Sequence, residues 1–556
     1  MSPSATQGDD PRYGSRFAIF AGAPAWVVGA VAIQVPIVNR GFVSMDEGHL
    51  VATAQRLMDG DLLYLDIQTG IFPGVYYLAA LLFEIFGMDV LVTRWAQVGV
   101  NTSIAVVLWF IGLRMMPLRW AALAPLAFIA FVPVAFPVLT MLNYSTVSLA
   151  FGLFALLFLL RYLEEARAPD AVVCGVALAL CALTKQNFGA LAGVAVFVGF
   201  LWGRLDSPLA IRSISKGLMP IVLSGGSITL VAVTAFAGTG TLDDLVHHTF
   251  TRLVSTQAES FYHPIPPVLG EHPQGDGLFI FFYSPAALFG YLVRGESPLS
   301  PGLYELTIRL SYGLPLAALF VAPFVLFRTR STDRPAERRA SRIAVVFAGT
   351  FFLGIFPSSI WSHLAFVLPP VLPVMFWIGE RVSREIRPRA PATARMFFDL
   401  CLGVVVVFAL LALRIPDDIR RWHSTALDLP RASVYIPSDQ AALYRAATDF
   451  IERCAGPEDP IFVAPTHPLL YFVTDRRNPT RYDLTIPGDV DGELIVRDIE
   501  ASQTRCVVYD PEMYPEFPAF EELFPEVSAF FETDFQRVPI PGPTRSWDGL
   551  TRVRED

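Results

Sequence analysis

Two adjacent acids, Asp46 and Glu47, stand where a helical pattern begins, and both are able to do acid–base chemistry. Residues 46–59 read DEGHLVATAQRLMD, with Leu50, Ala54, Leu57 and Met58 at helical spacing on one side. A carboxylate at a helix start is favoured by the helix dipole, and beside lipid its acidity can be tuned. Asp46 suits a general base and equally suits a helix cap, where Asp is a preferred residue. Glu47 could orient Asp46, hold an acceptor group or help ligate a divalent cation; its blander role is to favour the helix dipole. The basic groups able to hold an anion are Lys185, Arg94, Arg56, Arg252 and His363. Lys185 lies between apolar stretches 171–184 and 188–203, where a buried cation is costly and marks function by default. Its long stem could also carry the ammonium to lipid headgroups. Arg94 opens an apolar stretch and doubles as an interfacial anchor. His247-His248 and Asp243-Asp244 suggest a metal site, but the two adjacent histidines point different ways on a helix and are not at i, i+4 from each other, so these read as solvated loop residues.

The elements that must position these groups are membrane spans. The chain has 556 residues, a mean hydropathy of +0.48 and 53% hydrophobic but only 17% charged residues, against about 25% charged in soluble domains. Apolar stretches near the ~20 residues needed to cross a bilayer recur along it, which excludes a single water-soluble fold. Short basic segments stay cytoplasmic. Arg12 and Arg16 put the N-terminus inside, and segments 114–119, 161–167, 204–216, 328–342 and 381–395 mark the cytoplasmic loops. The pattern predicts about eleven transmembrane helices, from a retained first span at 17–38 to a last at 397–413. Segment 73–87 is short, holds Glu84 and would reverse the sidedness of Arg114 if it crossed, so it is predicted as a surface helix. Segment 278–294 raises the same parity problem and is assigned as interfacial or re-entrant. The first outer loop, 40–89, then carries two surface helices, the first headed by Asp46.

The net charge of −9 is uneven. Residues 415–556 hold 14 Arg and 26 Asp/Glu, whereas residues 1–414 carry a small positive excess. The division predicts a transmembrane domain over 1–414 and a separate acidic domain over 415–556 outside the membrane. Such acidity excludes nucleic acid as a partner, because binding a phosphate backbone needs a basic surface. The acidic part alternates helix Ser438–Cys454, strand Ile461–Ala464, helix Leu469–Thr474, helix 492–502 and strand Cys506–Tyr509, a small α/β unit with a mixed end around Trp547. Five cysteines are too few for a disulfide framework or a zinc site. Cys454 and Cys506 share the outer domain and could pair, provided their Cα atoms lie ~4.4–6.8 Å apart, which nothing in the sequence determines.

The order of parts in the first loop (Asp-Glu, surface helix, "GDLLYLD", a Pro-Gly turn, a second surface helix ending "FG", then a span entered through Thr93-Arg94) resembles the GT-C class of membrane glycosyltransferases, particularly the protein O-mannosyltransferase and lipid A aminoarabinose transferase group. The Asp46-Glu47-Gly48-His49 string, the Leu183-Thr184-Lys185 turn and Trp361-Ser362-His363-Leu364 before Pro369-Pro370 are similar to motifs of that class. The resemblance implies an inverting transfer of a sugar from a polyprenyl-phosphate carrier to an envelope glycan, lipid or protein acceptor at the outer face of a bacterial plasma membrane. It implies Asp46 as catalytic base with Glu47 beside it, and Lys185, Arg94, His363 and His49 as substrate and phosphate ligands. No cofactor is expected, and no metal. The chain departs from the pattern at Gly70-Ile71-Phe72-Pro73-Gly74, where relatives often place a basic residue before Pro-Pro. The segment "RRNPTRYD" at 476–483 is similar to one in bacterial relatives; the outer domain could bind acceptor, cover the site or simply stabilise it. Two other classes fit the composition: a transporter or lipid flippase, and a non-catalytic envelope scaffold. Matching halves with broken helices, the mark of many transporters, are not evident.

Overall fold

The computed structural model describes residues 16–204, 214–252, 262–268, 283, 301–329, 334–487, 490–512 and 518–553. Apart from Tyr283, segment 278–294 lies outside the described residues. Helices occur at each of the eleven predicted spans. Six of them are long and apolar enough to cross a membrane on their own: Val90–Met115, Tyr144–Glu165, Gln186–Gly203, Ile214–Gly238, Glu305–Arg328 and the run through Pro391–Trp422. Trp361–Val367 and Val371–Ile386 form a seventh, bent by 64°. The bend falls at Pro369-Pro370, where missing N–H groups and ring clashes break helical hydrogen bonding. The remaining stretches form shorter apolar helices or, for Pro335–Phe352, an amphipathic one rich in arginine. Outward-facing Val222, Leu223, Val231, Phe320, Phe324, Val404 and Leu410 are exposed, as lipid-facing side chains of a membrane bundle must be.

Both surface helices form, at Asp46–Met58 and Gly74–Phe86. The first stops at Gly60 with φ +101° and the second at Gly87 with φ +88°, left-handed positions that favour glycine. Asp89 then caps the helix Val90–Met115 by accepting from Leu91 N. The second helix exposes Tyr77, Leu81, Ile85 and Phe86, an apolar face suited to a membrane surface.

The C-terminal region carries a four-stranded sheet in the order Ile461–Ala464, Cys506–Tyr509, Trp547–Arg552, Phe535–Ile540. The first two strands run parallel and the others antiparallel. The hairpin of the last two strands resolves the mixed end that sequence reading left open. Cys454 and Cys506 are disulfide-bonded with Cα atoms 5.7 Å apart.

The structure departs from expectation in how the halves join. The acidic region is not a separate body: its Tyr444, Leu469, Leu470 and Phe472 share one core with Leu50, Val51, Tyr64 and Phe83 of the first loop. Phe83 stacks on Phe472 at 5.4 Å. The helix Asp46–Met58 is accordingly buried on both sides instead of lying open on a membrane surface. A covering domain 400 residues further along the chain leaves no periodic trace in thirteen local residues, since Val51, Ala52 and Thr53 carry no excess of polarity that would mark a solvent face.

Candidate active site

A cavity of about 790 Å³ opens where the first loop, the start of the helix at Tyr144, the break at Lys185, the segment around 354–366 and the C-terminal residues 482–487 converge. Asp46, His49, Lys185 and His363 all line it, joined by Arg252, His263, Tyr76, Tyr144 and Asn187. One part of the wall is apolar, with Val138, Met141, Leu142, Phe356, Ile360 and Phe366. Mixed lining of this kind suits a ligand with a polar head and an apolar tail.

Asp46 is the first residue of its helix. The cap position belongs to Met45, which makes no side-chain capping bond. Among the described residues the Asp46 carboxylate has no hydrogen-bond or ion-pair partner, so the capping role is not the one it plays. Burial raises its carboxyl above the usual carboxylate range, while His49 and Lys185 pull it back down. A carboxylate whose acidity is weakened by burial is a stronger base than an exposed one.

Lys185 occupies an extended residue between the helices Ala168–Thr184 and Gln186–Gly203. Its ammonium donates to Ser145 Oγ at 2.8 Å and sits 4.2 Å from the centre of the Phe188 ring. At 8% exposure it has not reached headgroups, and two of its three N–H donors have no protein partner among the described residues. A buried cation with spare donors facing a cavity has the chemistry to hold an anion. His363 uses Nδ1 on the Ser358 carbonyl oxygen. His263 meets Ser358 Oγ at 2.9 Å.

The structure reassigns Glu47 and Arg94. Neither lines the cavity. Arg94 Nε and Nη2 each donate to Glu47 carboxylate oxygens at 2.7 Å, and both side chains are 1% exposed. The other donors of Arg94 reach the carbonyls of Val38, Arg40 and Gly41. With the guanidinium so fully used, Arg94 cannot serve as a phosphate ligand, and Glu47 acts by fixing the turn before Asp46. Arg56 pairs with Asp61 and Asp483, at 2.8 and 2.9 Å, away from the cavity. His248 meets Arg481 at 2.9 Å, and no metal-holding group of three or more His, Cys, Asp or Glu exists among the described residues.

Sequence reasoning missed a hydrogen-bonded chain at the cavity edge. His49 Nδ1 lies 3.4 Å from Asp483 Oδ2, its Nε2 is 3.2 Å from Tyr76 Oη, and Tyr76 meets Thr69 Oγ1 at 2.8 Å. Burial would raise the Asp483 carboxyl, but Arg56, His49 and Asn478 outweigh it and hold the group well below the usual range. The signal for Asp483 was present in the 476–483 segment, though nothing local tied it to His49.

Residues 72–233 match the family model described as dolichyl-phosphate-mannose-protein mannosyltransferase. Among solved structures, ArnT from Cupriavidus metallidurans in the apo state superposes with a TM-score of 0.57 at 14% identity, covering 96% of this chain and 98% of that one. The same protein bound to undecaprenyl phosphate gives 0.55 at 15% identity, covering 97% and 99%. The oligosaccharyltransferase of Archaeoglobus fulgidus, tethered to an acceptor peptide, gives 0.52 at 12% identity and covers 97% of this chain but 74% of that one. A comparison with curated protein sequences finds no match. Fold, apolar helices and family-model match together make this a multi-pass membrane protein of the GT-C glycosyltransferase fold class.

Proposed function

We propose that the chain transfers a sugar from a polyprenyl-phosphate carrier to an acceptor, with Asp46 as general base. The observation that carries this reading is a half-buried carboxylate, without a hydrogen-bond or ion-pair partner among the described residues, sharing one amphipathic cavity with the buried, partly unspent ammonium of Lys185. In the reaction the acceptor oxygen attacks the anomeric carbon as its proton passes to Asp46. The bond from that carbon to the phosphate oxygen breaks, and the polyprenyl phosphate leaves with its new negative charge facing Lys185. One displacement inverts the anomeric centre. Arg252, His263 and His363 surround the same space and suit the phosphate and sugar hydroxyls. The ArnT complex with undecaprenyl phosphate supports a carrier of this type. On this reading the cavity opens at the outer face, the C-terminal domain lies outside the plasma membrane, and no metal is needed.

The test is reconstitution with undecaprenyl-phosphate-linked sugars and envelope acceptors, with transfer and carrier binding measured separately. Asp46→Asn should lower turnover ~10²–10⁴-fold, the usual value of a general base, while undecaprenyl phosphate still binds. Lys185→Ala should weaken binding of undecaprenyl phosphate, and Lys185→Arg should restore part of it. Full transfer by Asp46→Asn would place the base elsewhere.

A further inference from the structure

Asp46 is flanked by two histidine–aspartate couples, and both aspartates come from the C-terminal domain. On one side, three residues after Asp46, His49 meets Asp483 through Nδ1 at 3.4 Å. Thr53 Oγ1 also donates to Asp483, at 3.3 Å. On the other side, two residues before Asp46, Ser44 Oγ lies 3.1 Å from His467 Nδ1. His467 Nε2 meets Asp510 Oδ2 at 2.7 Å, and Asp510 is braced by Arg545 at 3.3 Å. Tyr444 Oη shares the Nδ1 edge of His467 at 2.9 Å, and Trp547 lies against the ring at 4.3 Å.

His467 and Asp510 follow the carboxyl ends of the two parallel strands, Ile461–Ala464 and Cys506–Tyr509. In open α/β sheets that edge is where ligands are bound. Here the ligand is the chain's own catalytic turn. Neither Ser44, His467 nor Asp510 lines the cavity, so this couple acts on the turn and not on substrate. Gly48 completes the fit: a Cβ there would stand 2.7 Å from Leu469 N, so the turn is pressed against the domain between its two tethers.

We infer that the C-terminal domain is part of the catalytic apparatus, with Asp483 acting through His49 and the His467–Asp510 couple acting through Ser44 as positioning residues that set the placement and acidity of Asp46. The inference rests on the reading of Asp46 as base, but it can be tested without transferase activity. The charged and titratable groups facing Asp46 are His49, Glu47, Lys185, Tyr76 and Tyr144. Of these, His49 and Lys185 favour the ionised form. Those facing His467 are Asp510, Arg545 and Tyr444.

The experiment uses full-length protein in phosphatidylethanolamine/phosphatidylglycerol nanodiscs and dicyclohexylcarbodiimide as probe, which modifies protonated carboxyls. The extent of Asp46 modification is read by peptide mass spectrometry against pH, with Asp46→Asn as blank. Asp483→Asn frees the His49 ring and should move the midpoint upward by roughly half a unit or more, the size of effect a neighbouring polar or charged group exerts. His467→Ala opens the turn to water and should move it downward by a similar amount. His467→Gln, whose amide can bridge Ser44 and Asp510, should restore the midpoint of the unaltered chain. Ile499→Ala loosens a different core cluster of the same domain and should lower the melting temperature without moving the midpoint. Unmoved midpoints in Asp483→Asn and His467→Ala, shifts of the opposite sense, or an equal shift in Ile499→Ala would overturn the inference. Loss of transfer in Asp46→Asn is a separate outcome and tests only whether Asp46 is the base.

Discussion

Arg94 spends its donors on Glu47 and on three carbonyls of the turn 38–41, with almost no exposure to solvent. A buried guanidinium of this kind acts as a structural clamp. Arg94→Ala leaves Glu47 charged and unpaired and should cost about 3–5 kcal/mol, seen as a large fall in melting temperature. Arg94→Lys cannot reproduce the bidentate geometry and should also destabilise. A stable Arg94→Lys variant with weakened undecaprenyl phosphate binding would return Arg94 to the phosphate site. The same scale governs the pH profile of Asp46. Its carboxyl is raised by burial and must be ionised to accept a proton, so kcat/KM should fall as pH drops through a value above the ordinary carboxylate range. Lys185 favours the ionised form, and Lys185→Met should move that acid limb to higher pH in a transfer assay across the acid range.

The helix Asp46–Met58 and the short helix Leu469–Thr474 approach so closely that glycine is required between them. A Cβ at position 48 would come within 2.7 Å of a backbone nitrogen and 3.1 Å of Leu469 Cβ. Backbone cannot yield as a flexible side chain can. Gly48→Ala should therefore push the two helices apart and cost about 1–3 kcal/mol, the usual penalty of overpacking. Faster amide exchange in the helix Leu469–Thr474, with the spans unaffected, would locate the damage. An undisturbed melting temperature would show that the interface has slack.

At the scale of the whole molecule, the join between first loop and C-terminal domain carries an acid-sensitive group. Burial holds His467 below the usual imidazole range, with Asp510 pulling it up and Arg545 pushing it further down. The folded value lies below the unfolded one of about 6.5, so as pH falls the unfolded chain takes up the proton first. The contribution of His467 to stability is therefore complete above that unfolded value and is lost as pH falls toward the folded one. Melting temperature should decline between pH 7 and 5, and His467→Gln should flatten that part of the curve. An equal decline in His467→Gln would assign the acid sensitivity to another group.

Local sequence determined the elements. Apolar stretches of bilayer length, arginine-rich connections, Gly60, Gly87 and the Asp-Glu helix start are short-range signals, and the spans, both loop helices and the first elements of the α/β unit follow from them. Lys185 stood out because a cation between apolar stretches is costly wherever it occurs, Asp46 because it heads a helix, and His49 and His363 through the resemblance to the GT-C motifs. What the tertiary structure decided is pairing across long separations. Glu47 and Arg94 are equivalent to Asp46 and Lys185 in type and local setting, and only their meeting at 2.7 Å makes them a clamp. The strand Trp547–Arg552 pairs with the earlier strand Cys506–Tyr509 as well as with its hairpin partner, and the acidic domain joins the core of a loop some 400 residues earlier. Composition and periodicity report the preference of a residue for burial or for water, but not which distant surface will bury it. The partners of Asp483, His467 and Arg94 therefore had to await the fold.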